Sequence, residues 1–360
     1  MSGADAVAVI VPNFNKEKTL RACLESVFGQ SYAPVEVVVV DDRSTDGSRE
    51  IAAGFPCRVV ELPVNSGPAA ARNAGVAASS APLLFFVDSD TALAPDAVGN
   101  AVRLLVGSPG VGMVQGIYDA RPLFDDGPVE AYRVAFEHFW RKRSVGRDTG
   151  ALFAATLIPR TVFEEVGGFD ERLRSGEDDE FGTRLPDRYR LVATDLVLTR
   201  HDDVDRLLPL LTEQFVRASA KPLLMVRTWR RQRAGAASTG ARAGMMSTDR
   251  FRHLEWAAQT SLLTSTLALA ILPLALLVPW LALTWPVLGA VFVAANHRFL
   301  RLTYELRGPG FAVFAAGLHA LSYAALVAGL AAGLPRAGYA LLRERAHRTR
   351  PRPAGAGVPE

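Results

Sequence analysis

The sequence predicts an α/β domain with a mainly parallel sheet, followed by an α-helical membrane region. Short apolar runs alternate with segments of helical spacing over residues 6–87, at the interval of βαβ units. The runs are continuously apolar, as in strands covered on both faces, and most end in a polar cluster. Further on, residues 256–296 contain no Asp, Glu, Lys or Arg, and residues 308–335 contain none either, with His319 their one possible charge. Each stretch is long enough for bilayer spans, which take roughly 20 apolar residues.

Taken in order, residues 6–11 read as a buried strand ended by Pro12, and residues 16–30 as a helix with Leu20, Cys23, Leu24, Val27 and Phe28 on one face. Residues 35–40 form a second strand that stops at Asp41-Asp42. Ser44-Thr45-Asp46-Gly47 opens the next helix with good capping residues. A third strand over 57–62, a helix over 69–78 and a fourth strand over 83–87 complete the regular part. Beyond it, strands are predicted at 110–117, 153–158 and 191–198, and helices at 129–141, 161–166 and 206–229. Ligands of open parallel sheets bind beyond the carboxyl ends of the strands. Pro12-Asn13, Asp41-Asp42, Asn65-Ser66-Gly67 and Asp88-Ser89-Asp90 all follow strands, so four polar clusters converge on one edge.

Two acidic clusters carry the chemistry. Asp88-Ser89-Asp90 closes the apolar run Pro82-Leu83-Leu84-Phe85-Phe86-Val87, where hard oxygen ligands can hold Mg²⁺ or Mn²⁺ against a diphosphate. Gly176-Glu177-Asp178-Asp179-Glu180 can supply a general base. A solvated acidic turn is the plain alternative for the second cluster, and helix capping the plain alternative for Asp42 and above all for Asp46. His138 reads as a helix-packing residue and Cys23 as core. Two cysteines, Cys23 and Cys57, make no disulfide framework.

Together, Val9-Ile-Val-Pro-Asn-Phe-Asn15, Val38-Val-Val-Asp-Asp42, Asn65-Ser-Gly-Pro68 with Ala71-Arg-Asn-Ala-Gly75, Asp88-Ser-Asp90, and Gly167-Gly-Phe-Asp170 before Gly176-Glu-Asp178 resemble family 2 glycosyltransferases. The resemblance covers about residues 6–205. It rests on five motifs in order, since Asp-x-Asp alone is common. It implies a GT-A fold, a nucleotide-diphosphate sugar donor, a divalent metal (Mg²⁺ or Mn²⁺) and inversion at the anomeric carbon. Carried onto this chain, Pro12 and Asn13 would line the nucleotide pocket, Asp42 with Asp41 would bond the base, and Arg72 would lie near the diphosphate. Asp88 would contact ribose or donor sugar, and Asp90 would bind the metal. Asp178 would be the catalytic base with Glu177 beside it, and His201 matches a histidine that faces metal or diphosphate; a surface-loop histidine is its alternative. Glu180 stands where many relatives have Asp and is assigned no chemistry. Thr149-Gly150 either borders the acceptor site or forms a turn.

The expected organisation is a GT-A domain over 1–205, basic interfacial helices and a flexible link over 206–255, transmembrane helices over 256–335 and a basic tail over 336–360. Three spans are the simplest division of the apolar region, at 261–280, 281–296 (short) and 310–334. The basic loop 298–307 is expected in the cytoplasm, and a third span then puts the arginine-rich tail outside, against the positive-inside rule. Either the first stretch holds one span plus a re-entrant piece, or the tail breaks the rule. The N-terminus lacks the regions of a signal peptide, so the catalytic domain is expected on the cytoplasmic side of a multi-pass inner-membrane protein. Nine arginines and lysines between Arg217 and Arg252 suit anionic lipids. No recognition motif accompanies them, so no nucleic-acid partner is expected. Oligomeric state is not legible.

Processive synthases of the family carry Gln-x-x-Arg-Trp before their membrane helices. Here Gln214-Phe-Val-Arg217 is followed by Ala218, which argues for transfer of one or a few sugars to a lipid-linked or glycan acceptor. A polyprenyl-phosphate glycosyl synthase is the alternative enzyme, and a catalytically silent membrane scaffold the alternative of another class. A transporter subunit is disfavoured because the apolar stretches hold no acidic residue.

Overall fold

The structure is a computed structural model that describes residues 5–33, 35–146, 153–233 and 256–348. These fall into two units. The first holds residues up to Arg206 together with Arg298–Ala315, and the second holds 207–233, 256–297 and 316–348.

The first unit is built on one eight-stranded sheet: β1 (Val7–Asn13), β2 (Glu36–Asp41), β3 (Arg58–Glu61), β4 (Leu83–Val87), β5 (Thr91–Leu93), β6 (Val111–Tyr118), β7 (Ala155–Pro159) and β8 (Arg190–His201), in the order β3-β2-β1-β4-β7-β6-β8-β5. Its helices are α1 (Leu20–Phe28), α2 (Ser48–Ala53), α3 (Pro68–Ala77), α4 (Ala97–Gly107), α5 (Pro128–Lys142), α6 (Arg160–Val166) and α7 (Glu177–Arg184). Alternation along β1 divides the core in two, because successive side chains of a strand face opposite ways. Val7, Val9 and Val11 pack with Leu20, Cys23, Leu24 and Val27 of α1 and Val98 and Val102 of α4. Ala8 and Ile10 face Ala69 and Val76 of α3, Val162 and Phe163 of α6 and Phe181 of α7.

Strand direction decides what meets at the sheet edge. β1 is parallel to β2 and β4, β4 is antiparallel to β7, and β7 is antiparallel to β6. Two reversals cancel, and β8 is parallel to β6, so the carboxyl end of β8 opens on the same edge as those of β1, β2 and β4. The short strand β5 then returns antiparallel to β8 with Thr91 opposite His201, and Asp202 N–H donates to the Asp90 carbonyl at 3.0 Å. His201 is thereby brought beside Asp90 by backbone pairing. Also in this unit, Phe299 is buried among Tyr132, Phe136 and Phe139 of α5, with ring centroids 5.8, 5.5 and 5.4 Å away.

The second unit contains α8 (Leu207–Arg233), α9 (Trp256–Leu277), a 3₁₀ turn (Pro279–Leu283), α10 (Thr284–Ala295) and most of α11 (His297–Arg348), which bends at the non-helical Gly308. Trp256–Leu277 and His297–Tyr339 are long and apolar enough to cross a membrane by length and composition. The expected short span at 281–296 instead becomes the 3₁₀ turn and the 12-residue α10, about 18 Å of helix against a hydrocarbon core of about 30 Å. Pro279 opens the turn and Pro286 lies in the first helical turn, where a missing N–H is tolerated but continuity with the preceding helix is not. Gly329 and Gly333 of α11 let α8 approach closely: a Cβ on either would lie 2.4 Å from the Phe215 carbonyl oxygen or 2.2 Å from that of Ser219. Asn296 donates to Ser261 Oγ at 2.7 Å and its Oδ1 lies 3.1 Å from His319 Nε2, a polar contact between otherwise apolar helices. The proposed link at 234–248, Thr149-Gly150 and the end of the basic tail lie outside the described residues.

Candidate active site

The nucleotide side of the edge is braced by the two aspartates after β2. Asp42 Oδ1 accepts the Ser66 N–H at 2.6 Å and its Oδ2 accepts the Gly67 N–H at 2.7 Å. That pins the loop before α3, where Gly67 takes φ 91°, a conformation that favours glycine. Asp41 accepts from Asn13 Nδ2 at 3.1 Å and from the Ser44 N–H at 3.0 Å. A cavity of about 470 Å³ opens here, lined by Pro12, Asn13, Asp42, Arg72, Asp88, Asp90 and Glu177 together with Lys16, Asn65 and Arg174. Its volume falls within the roughly 300–1,000 Å³ of small-molecule sites. Asp41 is not among the lining residues and works as a brace for Asn13 and the following turn.

Arg72 joins the two acidic clusters. It is 5 % exposed, donates from Nη1 to Glu177 Oε1 at 2.6 Å and from Nη2 to Asp88 Oδ1 at 2.9 Å, and lies over the rings of Phe169 and Phe153. Burying an arginine this deeply demands such partners. Desolvation holds the Asp88 carboxyl above the usual carboxylate range, with Arg72 opposing and Asp90 adding to the shift. Asp178, the second residue of α7, is pushed up to about 6 by burial and then by the charge of Glu177. Glu177 is spoken for by Arg72, whereas Asp178 carries the raised affinity for a proton near the same edge. Glu180 turns away to pair with Arg184 at 2.7 Å, and the Asp46 carboxylate accepts the Ser48 N–H at 3.1 Å, holding the turn into α2.

Asp90 faces two basic side chains. Lys16 Nζ lies 2.8 Å from its Oδ2, and His201 Nε2 lies 3.7 Å from its Oδ1. The His201 ring stacks on Tyr118 at 4.5 Å and 2°, and its Nδ1 is 3.4 Å from Asp203 Oδ2. Burial works against the imidazolium, but Asp203 and Asp90 outweigh it and raise its pKa. A carboxylate and an imidazole this close, backed by a second carboxylate and already neutralised by an ammonium, have the chemistry of a divalent-cation site. Asp90 and His201 would hold the ion. Asp126, Glu130 and Asp202 also cluster, but Lys18 bridges Asp126 and Asp202 and supplies the charge that cluster needs.

Residues 8–156 match the family model for glycosyl transferase family 2. The domain is a family 2 glycosyltransferase domain. Among the curated proteins similar to this chain are glycosyltransferase AglE of Haloferax volcanii, 31 % identical over 189 residues, and validoxylamine A glucosyltransferase of Streptomyces hygroscopicus subsp. limoneus, 30 % identical over 214. Each alignment covers 50 % of this chain, and they cover 61 % and 47 % of those relatives respectively, so the chain spans less than two thirds of their length. A mannosyltransferase of Pyrobaculum calidifontis, solved with GDP-Man and Mn²⁺, is similar in structure at a TM-score of 0.50 and 20 % identity over 91 % of this chain and 86 % of that one. The sheet order and this likeness make the fold of the family 2 domain GT-A.

Three residues of the site escape a reading of motifs. Lys16 sits in the β1–α1 loop, and the edge rule applied to Pro12-Asn13 extends to it. Asp203 follows His201 by two residues, but nothing local says that it turns back onto the imidazole. Tyr118 ends β6, and its stacking on His201 follows from the β6–β8 pairing alone.

Proposed function

We propose that the chain is a membrane-attached, inverting glycosyltransferase that moves a sugar from a nucleotide-diphosphate donor, UDP-sugars first, to a lipid-linked or cell-envelope glycan hydroxyl. The observation that carries this reading is the convergence of Asp88, Asp90, Arg72 and Glu177 on one cavity, with His201 3.7 Å from Asp90 and Asp178 next to Glu177 at the start of α7. Asp42 and Asn13 shape the end for the nucleoside, and Arg72 and Lys16 bring positive charge to the diphosphate end.

Asp178 takes the proton of the acceptor hydroxyl as its oxygen bonds to the anomeric carbon. The bond from that carbon to the diphosphate oxygen breaks on the opposite face, which inverts the centre, and the electron pair leaves with the nucleoside diphosphate. A positioned base of this kind contributes about 10²–10⁴-fold. A Mg²⁺ or Mn²⁺ ion on Asp90 and His201 would stabilise the charge that develops on the leaving diphosphate. Two helices of spanning length and composition support membrane attachment on the inner membrane, with the catalytic domain in the cytoplasm, and membrane lipids as neighbours of the acceptor.

Turnover of UDP-, GDP- and dTDP-sugars by detergent-purified protein with a membrane-lipid extract, with Mn²⁺ or with EDTA, tests the reading. Metal-dependent transfer from one donor, abolished in Asp90→Ala and Asp178→Asn, is the expected result. Failure to bind any nucleotide sugar would leave a scaffold.

A further inference from the structure

Lys16 reaches from the β1–α1 loop to Asp90, its Nζ 2.8 Å from Oδ2, while the other carboxylate oxygen faces His201. The side chains of the pair are 40 % and 20 % exposed, so the contact lies at the cavity wall and can rearrange without opening the core. Lys16 therefore places an ammonium on the carboxylate that a divalent ion would need, at the oxygen away from His201. An ammonium and a divalent ion on one carboxylate repel each other and share its single negative charge. Each therefore weakens the other's hold on Asp90.

We propose that Lys16 is a built-in competitor for the divalent cation at Asp90, released to the donor diphosphate when ion and nucleotide bind together. This rests on the reading of Asp90 and His201 as the metal ligands. A lysine suits the part: its ammonium is a compact point charge on a four-carbon stem and swings without backbone movement. Arg72 is locked between Asp88 and Glu177 and cannot follow it. The competition makes the site a poor binder of ion alone. A nucleoside diphosphate gives the displaced ammonium a new anionic partner, so ion and nucleotide each tighten the other, by the same factor.

The test is Mn²⁺ binding to the full chain in detergent, read from the paramagnetic resonance of the free ion, without nucleotide and with UDP or GDP. Lys16→Met is expected to bind Mn²⁺ about 3–10-fold more tightly than wild type without nucleotide, the scale of one lost part-exposed, charge-assisted contact. It should also lose most of the tightening that the nucleotide brings. Lys16→Arg keeps a cation at the position and is expected to track wild type, and Asp90→Asn should lose the ion. If Lys16→Met binds Mn²⁺ no better than wild type while Asp90→Asn loses it, competition is wrong and the metal reading stands. If Asp90→Asn binds Mn²⁺ as wild type does, the metal reading falls and the proposal falls with it.

Discussion

Arg72 of α3 donates a 2.6 Å hydrogen bond to Glu177, the first residue of α7. The two are far apart in sequence, and the contact fixes the start of α7 against the sheet edge where Asp88 and Asp90 end β4. Glu177 lies at a helix N-terminus, which favours an anion, and it also neutralises a buried guanidinium.

Replacing Arg72 with Met is therefore expected to cost about 3–5 kcal/mol, because Glu177 and Asp88 are left without their cation. Lysine will not restore it, since one ammonium cannot reproduce the two-pronged contact. Thermal unfolding in detergent measures both. A Met variant that melts with wild type would show that the pair is dispensable.

Asp178 links activity and stability to pH in opposite directions. Its pKa is raised from 3.8 to about 6 in the folded chain, so the folded state holds the proton more tightly than the unfolded one. The stabilisation is complete below about pH 4 and is lost as pH rises through about 6. At pH 7 the ionised Asp178 is a burden, and Asp178→Asn should be more stable there by about 1–3 kcal/mol. As the base it must be ionised, so transfer by wild type should rise through pH 6 and fall by about 10²–10⁴-fold in the Asn variant. Melting curves and pH–rate profiles on the same preparations decide it.

Asp203 behaves in the opposite sense. Burial pushes its carboxyl up, but the His201 imidazole 3.4 Å away and the charge of Arg133 win and lower it to about 2. Its contribution is present above about pH 4 and disappears as pH falls toward 2. Asp203→Asn should flatten acid unfolding in that window. It should also weaken Mn²⁺ binding by about 10–100-fold, since a ligand imidazole loses the carboxylate that orients it. Unchanged Mn²⁺ affinity would remove Asp203 from the site.

Gly75 lets α3 lie close against the sheet. A Cβ there would lie 2.4 Å from Ile10 Cγ2 and 3.2 Å from Val40 Cγ2. Gly75→Ala is expected to destabilise by about 1–3 kcal/mol despite the better helix propensity of alanine. A rise in melting temperature would contradict the packing.

Much of the site is legible in the chain because it follows strands. Pro12, Asn13, Asp42, Asp88 and Asp90 each come directly after an apolar run, and in a parallel sheet that alone sends them to one edge. The middle apolar segment is less legible. Residues 281–296 are as apolar as a span, and composition does not register how Pro279 and Pro286 divide the helix.

Local pattern, then, set the strands, the helices and the edge on which polar residues collect, because apolar periodicity is a property of neighbouring residues. It did not set who meets whom across that edge. The two antiparallel steps through β7, the return of β5 against β8 and the reach of Arg72 to Glu177 are long-range pairings. They bring His201 to Asp90 and α7 to α3. Such contacts depend on how whole elements pack, and no segment of the chain encodes them alone.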